Sequence, residues 1–192
     1  DIVNPGGEII EAGLNGEPVV YIAGILNRAV MSLYAKPEIA SVADLKGKVL
    51  AVTVPGATTD FAARVLLQQA RLTPGKDVKI LYLKGMAEIL AGINQGNADA
   101  GIFTAPTTLK AGHAGLKELI NVTEKNIPMI HAAFASTREY VKTQPDNVRR
   151  FLQAYLEGIK IAQTDAELAK QLIGKYTKTT NASDLENSYQ TF

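Results

Sequence analysis

No cysteine and no tryptophan occur among these 192 residues. The first absence excludes disulfide staples, thiolate metal ligands and a cysteine nucleophile, and it is silent on compartment. The second, with aromatic residues at only 6%, argues against a cage of stacked rings around a ligand. Histidine is scarce as well: His113 and His131 lie 18 positions apart. Neither H-x-x-x-H nor H-E-x-x-H spacing exists, and no metal site is expected. G-x-S-x-G and G-x-x-x-x-G-K-[ST] are missing, and no catalytic constellation emerges. Neither sign of charge dominates, with 20 Lys and Arg against 19 Asp and Glu. No long-range field therefore gathers nucleic acid, and the expected partner is a small molecule. No apolar run approaches the roughly 20 residues that cross a bilayer, and no signal-peptide pattern is present. A mature exported protein whose leader has been removed has this character.

What is present is an ordinary apolar supply, 46% hydrophobic with 20% charged, enough for a core without staples. The organising stretch is Ser41 to Asp60, SVADLKGKVLAVTVPGATTD. It reads as a short capped helix, a turn at Lys46-Gly47-Lys48, a buried strand over Val49–Val54, and a Gly56 loop opening a helix over 59–70. A continuous β-branched run of that length suits a parallel strand covered on both faces. Thr58 or Thr59 is placed to cap the helix. The loop beyond the carboxyl end of such a strand is where open α/β sheets bind ligands, and a helix N-terminus there favours an anion or an acceptor.

Along the rest of the chain, Asp1-Ile2-Val3 looks like the end of a strand, with Asn4 as N-cap and Pro5 as first helical residue of a helix to Leu14. Strands follow at 19–23 and 29–35, separated by a turn at Asn27-Arg28. After residue 49, strands at 78–83, 98–103 and 116–122 alternate with helices at 87–95 and 106–113, a βαβ pattern that implies a mostly parallel sheet. Residues 128–136 return as an extended apolar run. Ser136/Glu139, Thr164/Glu167 and Ser183/Glu186 have capping-box spacing, and Val148, Phe151, Leu152, Tyr155, Leu156 and Ile159 form an amphipathic stripe. An internal echo relates the loop after Asp1 to the loop after Asp99. It suggests two helix N-termini facing across a cleft, although chance recurrence of strand–loop–helix chemistry is the better explanation.

Three segments together carry a family resemblance. They are Ser41-x-x-Asp44-Leu45-Lys46-Gly47-Lys48 with Gly56-x-x-x-Asp60, then Thr104-Ala105-Pro106-Thr107-Thr108-Leu109, and Asn147-Val148-Arg149-Arg150-Phe151-Leu152. The chain resembles substrate-binding proteins of ABC importers, in the SsuA/THI5-like (NMT1-like; nitrate/sulfonate/taurine) group. The resemblance implies an α/β fold of the type II periplasmic-binding-protein kind, with two lobes and mostly parallel sheets. It places 1–38 and 129–192, with the C-terminal helices, in an incomplete first lobe and 39–128 in the second. Hinges are expected near 34–41 and 124–129. It also implies that further strand–helix units precede Asp1, and that the helix ending near Phe192 is cut short.

The implied activity is delivery of a small polar or anionic compound, such as a sulfonate, nitrate, carboxylate or thiamine precursor, to the permease subunits of an ABC importer by hinge closure. The implied location is periplasmic or extracytoplasmic, free or anchored through a leader. No cofactor and no catalysis are implied. An incomplete first lobe would expose a sheet edge and invite self-association. A THI5-like pyrimidine-precursor synthase is the enzyme alternative, disfavoured because those enzymes use a cysteine-rich motif; the effector-binding domain of a regulator is another.

The candidate ligand-binding residues are Gly56, Ala57, Thr58 and Thr59 in the first βα loop and Thr104, Ala105 and Pro106 in the loop after the strand at 98–103. Asn4 and Gly6 are their first-lobe counterparts. Asn27 and Arg28 are included because a guanidinium can grip a carboxylate or sulfonate bidentately, and His131 because it borders the hinge. Ordinary turn, cap and core roles account for each of these residues as well.

Overall fold

A computed structural model describes residues 1–191; Phe192, at the expected cut end, lies outside the described residues. In chain order the elements are α1 (Glu8–Leu14), β1 (Val19–Arg28), β2 (Ser32–Ala35), β3 (Val49–Val52), α2 (Thr58–Gln69), β4 (Lys79–Tyr82), α3 (Met86–Asn94), β5 (Ala100–Phe103), α4 (Thr107–His113), β6 (Lys117–Asn121), β7 (Pro128–Thr137), α5 (Arg138–Thr143), α6 (Pro145–Thr164), α7 (Ala166–Thr177) and α8 (Ala182–Thr191). A 3-10 turn at Val42–Leu45 precedes β3, and Ser41 and Asp44 close the capping box there.

A five-stranded sheet has the order β4-β3-β5-β2-β6. Pairing is parallel across β4, β3 and β5, as the βαβ pattern predicts, and antiparallel where β2 meets β5 and β6. The sheet is therefore mixed. On one face, α2 and the 3-10 turn bury Leu33, Leu45, Leu50, Val52, Leu66 and Leu67. On the other, Ile89, Ile93, Phe103 and Ala111 close a second core. Both faces of β3 and β5 are thus covered, which is why their sequences lack polar alternation.

Asp99 ties the sheet together at the end away from the β3–α2 loop. Its carboxylate accepts from the Val49 N–H at 3.0 Å and pairs with Lys36 Nζ at 3.0 Å. Burial opposes ionisation, but these two partners outweigh it and hold the Asp99 carboxyl below its ordinary range.

The remaining strands form an antiparallel ribbon of β1 and β7, with register shifts between Tyr21 and Ala23, Gly24 and Leu26, and Leu26 and Arg28. Val3 bridges to Ala135 at its edge. The ribbon is backed by α6, where Phe134 meets Phe151 and Tyr155 edge-to-face at 4.7 Å each.

Several local expectations are corrected. Asn27 and Arg28 do not form a turn: β1 runs through them because ten-residue β7 supplies partners as far as Pro128 opposite Arg28. The strand expected at 29–35 shortens to Ser32–Ala35 and hydrogen-bonds into the five-stranded sheet, although a boundary at residue 38 assigned it to the first lobe. The helix expected from Pro5 begins at Glu8 with Gly7, not Asn4, at its N-cap. All three capping boxes expected at 136, 164 and 183 are replaced by other acceptors: Thr137 takes the Tyr140 N–H. Asp165 takes the Leu168 N–H, and Asn181 takes the N–H groups of Ser183 and Asp184.

Candidate functional site

The C-terminal end of β3 opens onto a cavity of about 390 Å³ between α1 and α2, floored by the start of β7. From α1 come Gly7, Ile10, Glu11 and Leu14. Their spacing of i, i+3, i+4 and i+7 puts all four on one helix face. Gly56, Thr58 and Phe61 face them from the β3–α2 loop and α2, and Pro128, Met129 and Ile130 complete the wall. The backbones approach closely: a Cβ on Gly7 would lie 3.8 Å from the Gly56 carbonyl oxygen. Gly56 itself has φ +76°, a conformation that glycine adopts without strain.

The first turn of α2 carries its own acidic residue, Asp60. The N-cap is Ala57, with no side-chain cap. The cap expected from Thr58 or Thr59 fails because the Thr59 hydroxyl accepts from the Thr53 N–H at 3.1 Å and pairs with the Thr53 hydroxyl at 2.7 Å. Thr59 is 1% exposed. Asp60, also buried, uses one oxygen to accept from the Gly56 N–H at 3.0 Å and the other to pair with Arg64 Nε at 3.0 Å. Tyr82 donates to that second oxygen at 3.3 Å and accepts from Arg64. The Asp60 hydrogen bond, joined by that of Tyr82, raises the Arg64 guanidinium pKa further against the opposing effect of burial.

A second, smaller cavity of about 210 Å³ lies beside β2 and β6, bordered by Ala105, Thr108, Glu118 and Asn121 and by Asn187 and Thr191 of α8. Burial, followed by the Glu118 charge, raises the Tyr34 phenol pKa in its wall.

Of the sequence candidates, Gly56 and Thr58 line the first cavity and Ala105 the second. Ala57 is buried. The Thr104 carbonyl accepts from the Thr107 and Thr108 N–H groups, and Pro106, after a cis peptide bond, precedes α4. The Gly6 carbonyl accepts from the Tyr21 hydroxyl at 2.6 Å. Asn4, Asn27 and Arg28 are exposed and line neither cavity. His131 Nδ1 accepts from the Val30 N–H at 2.8 Å. Burial lowers its pKa, against the pull of the Arg28 carbonyl. The echo between the two Asp loops pointed to α1 facing α4; the structure sets α1 against α2 instead. Glu11, Phe61 and Met129 were not anticipated, although the helical spacing from Gly7 carried the signal for Glu11. Among the described residues no group of three His, Cys, Asp or Glu side chains is arranged to hold a metal.

Comparison with known proteins is consistent along the whole chain. The family model described as NMT1/THI5 like matches residues 3–169. A Brachyspira hyodysenteriae protein named as an ABC transporter periplasmic binding protein is 27% identical over 152 residues, covering 78% of this chain and 43% of that protein. The fold matches the crystal structure of the periplasmic aliphatic sulphonate binding protein SsuA of Escherichia coli with TM-score 0.83 at 22% identity, over all of this chain and 62% of that one. It matches the alkanesulfonate-binding protein SsuA of Xanthomonas axonopodis pv. citri, bound to MOPS, with TM-score 0.86 at 18% identity, over all of this chain and 66% of that one. The chain thus spans between about two-fifths and two-thirds of the length of these relatives. It has the periplasmic-binding-protein fold, and it belongs to the NMT1/THI5-like family.

Proposed function

We propose that this chain is the solute-binding part of an ABC import system, acting outside the cytoplasm and presenting a small compound to permease subunits rather than transforming it. The observation that carries this reading is the cavity between α1 and the β3–α2 loop. Elements of two different sheets converge there over the carboxyl end of a parallel strand, with Gly7 and Gly56 apposed. Residues 1–28 with 128–191 form one lobe, and the five-stranded sheet with its helices forms the other. The chain crosses between them at 29–31 and again at 122–128. Ligand binding would favour the state in which both walls touch it, by as much as its affinity differs between open and closed forms. Gly56 and Thr58, with Gly7, are the ligand contacts this assigns, and Ala105 belongs to the smaller cavity's rim.

A thermal-shift screen against alkylamines, sulfonates, nitrate, carboxylates and pyrimidines tests the reading. A ligand at 100 times its dissociation constant adds about 2.7 kcal/mol to stability. A shift that Gly56→Val removes and Arg28→Ala leaves intact is the expected result. A chain that no small solute stabilises overturns it.

A further inference from the structure

The α2 N-terminus invites an anion, but its first turn already carries the protein's own carboxylate, Asp60. The Gly56 N–H is given to Asp60, whose charge is compensated by Arg64. The Thr59 hydroxyl is given to Thr53. Among the described residues no lysine, arginine or histidine lines the cavity. Among the described residues its one charged lining residue is Glu11, whose carboxylate makes no hydrogen bond or ion pair with any of them. Glu11 Oε2 stands 3.6 Å from the position a Cβ on Gly56 would take, so the carboxylate overhangs the loop. Around it the surface is apolar and open: Ile10 is 50% exposed, Leu14 84% and Phe61 45%. Clustered exposed apolar side chains of this kind mark a binding surface. Here they surround a single negative charge.

We infer, on the reading that this chain binds a solute, that the α1–α2 cavity selects a small organic cation, an ammonium group carried on an apolar body, and discriminates against sulfonate and nitrate. The ammonium donates to the Glu11 carboxylate, while the apolar body packs on Ile10, Phe61 and Met129. An anion in the same place meets Glu11 with no cationic side chain in the lining to offset it. A like charge so placed disfavours binding as strongly as an opposite one favours it. A hydrogen bond to a charged group accounts for roughly a tenfold preference or more.

The test uses three probes of one chain length, hexylamine, hexanol and hexanesulfonate, titrated calorimetrically into the 192-residue chain. Hexylamine binds tightest. Glu11→Gln weakens hexylamine about tenfold and leaves hexanol unchanged, and Glu11→Lys turns the preference toward hexanesulfonate. Tighter binding of hexanesulfonate than hexylamine, indifferent to Glu11→Gln, overturns the charge selection and leaves the solute-binding reading standing. Failure of all three probes, with nitrate, carboxylates and pyrimidines equally without effect, removes the solute-binding reading and this inference with it.

Discussion

The five-stranded sheet and the β1–β7 ribbon draw on the same apolar residues and bury them very differently. All four residues of β5 are buried, and Leu50, Ala51 and Val52 of β3 are fully so. Of the ten residues of β1, none is fully buried. The amphipathic stripe of α6 buries only Val148, leaving Leu156 63% and Ile161, further along the helix, 52% exposed. The sheet has helices on both faces, whereas in the ribbon burial is confined to residues 133–136 of β7. An apolar run in sequence therefore reports the capacity to be buried, and the surrounding layers decide how much of that capacity is used.

The largest test of this contrast is truncation in each region. Phe103→Ala, fully buried and edge-on to Tyr34, is expected to lose about 3–5 kcal/mol in denaturant melts. Leu156→Ala should stay within about 0.5 kcal/mol. Similar losses at the two sites would show that the α6 stripe is covered in solution.

A smaller effect is expected at the polar end of the sheet. Asp99→Asn weakens bonds to Val49 and Lys36 and should cost about 2 kcal/mol at neutral pH. Because the folded-state pKa of Asp99 is lowered, its contribution is complete above the unfolded value of about 3.9 and is lost as pH falls through the folded one. The difference between wild type and variant should therefore narrow in acid; a difference constant down to the lowest pH that keeps the fold would contradict the assignment.

The smallest effect lies where the two regions join. His131 has a lowered folded-state pKa, so the unfolded chain takes up the proton first. Stability then declines as pH falls below about 6.5 until the folded value is passed. His131→Asn keeps an acceptor for the Val30 N–H without titrating in this range. Its melting temperature should be flatter with pH than that of wild type, and an equal slope would place the acid sensitivity elsewhere.

Much of the second lobe was legible because local and tertiary signals agree there. Val49–Val52 is a strand by composition and by coverage, and Ser41 and Asp44 form the capping box their spacing announces. Reading failed where a distant partner decided the outcome. Asn27-Arg28 has turn chemistry, yet β7 holds it extended. Ser32–Ala35 gives no sign in its own sequence of lying between β5 and β6. At the cavity, glycine and threonine pointed to the loop whose Gly56 and Thr58 line it. The role of Asp60 depended on its carboxylate folding back over four residues to Gly56, and that of Glu11 on a helix from the other lobe. Arg28 was the natural choice for gripping an anion, and its position at the far end of β1 removes it from both cavities.

The two passages between the sheets lie side by side and are stitched together: Ala29 N–H to the Ile127 carbonyl, Val122 N–H to the Met31 carbonyl, and Val30 N–H to His131. Two adjacent, cross-linked strands resist twisting and sliding far more than they resist bending. On the solute-binding reading proposed above, such a joint would act as a flexure, with bending as its softest motion. A cavity whose walls belong to opposite sides of such a joint would narrow as the joint bends, so that whatever fixes the width would fix the angle between the two sheets.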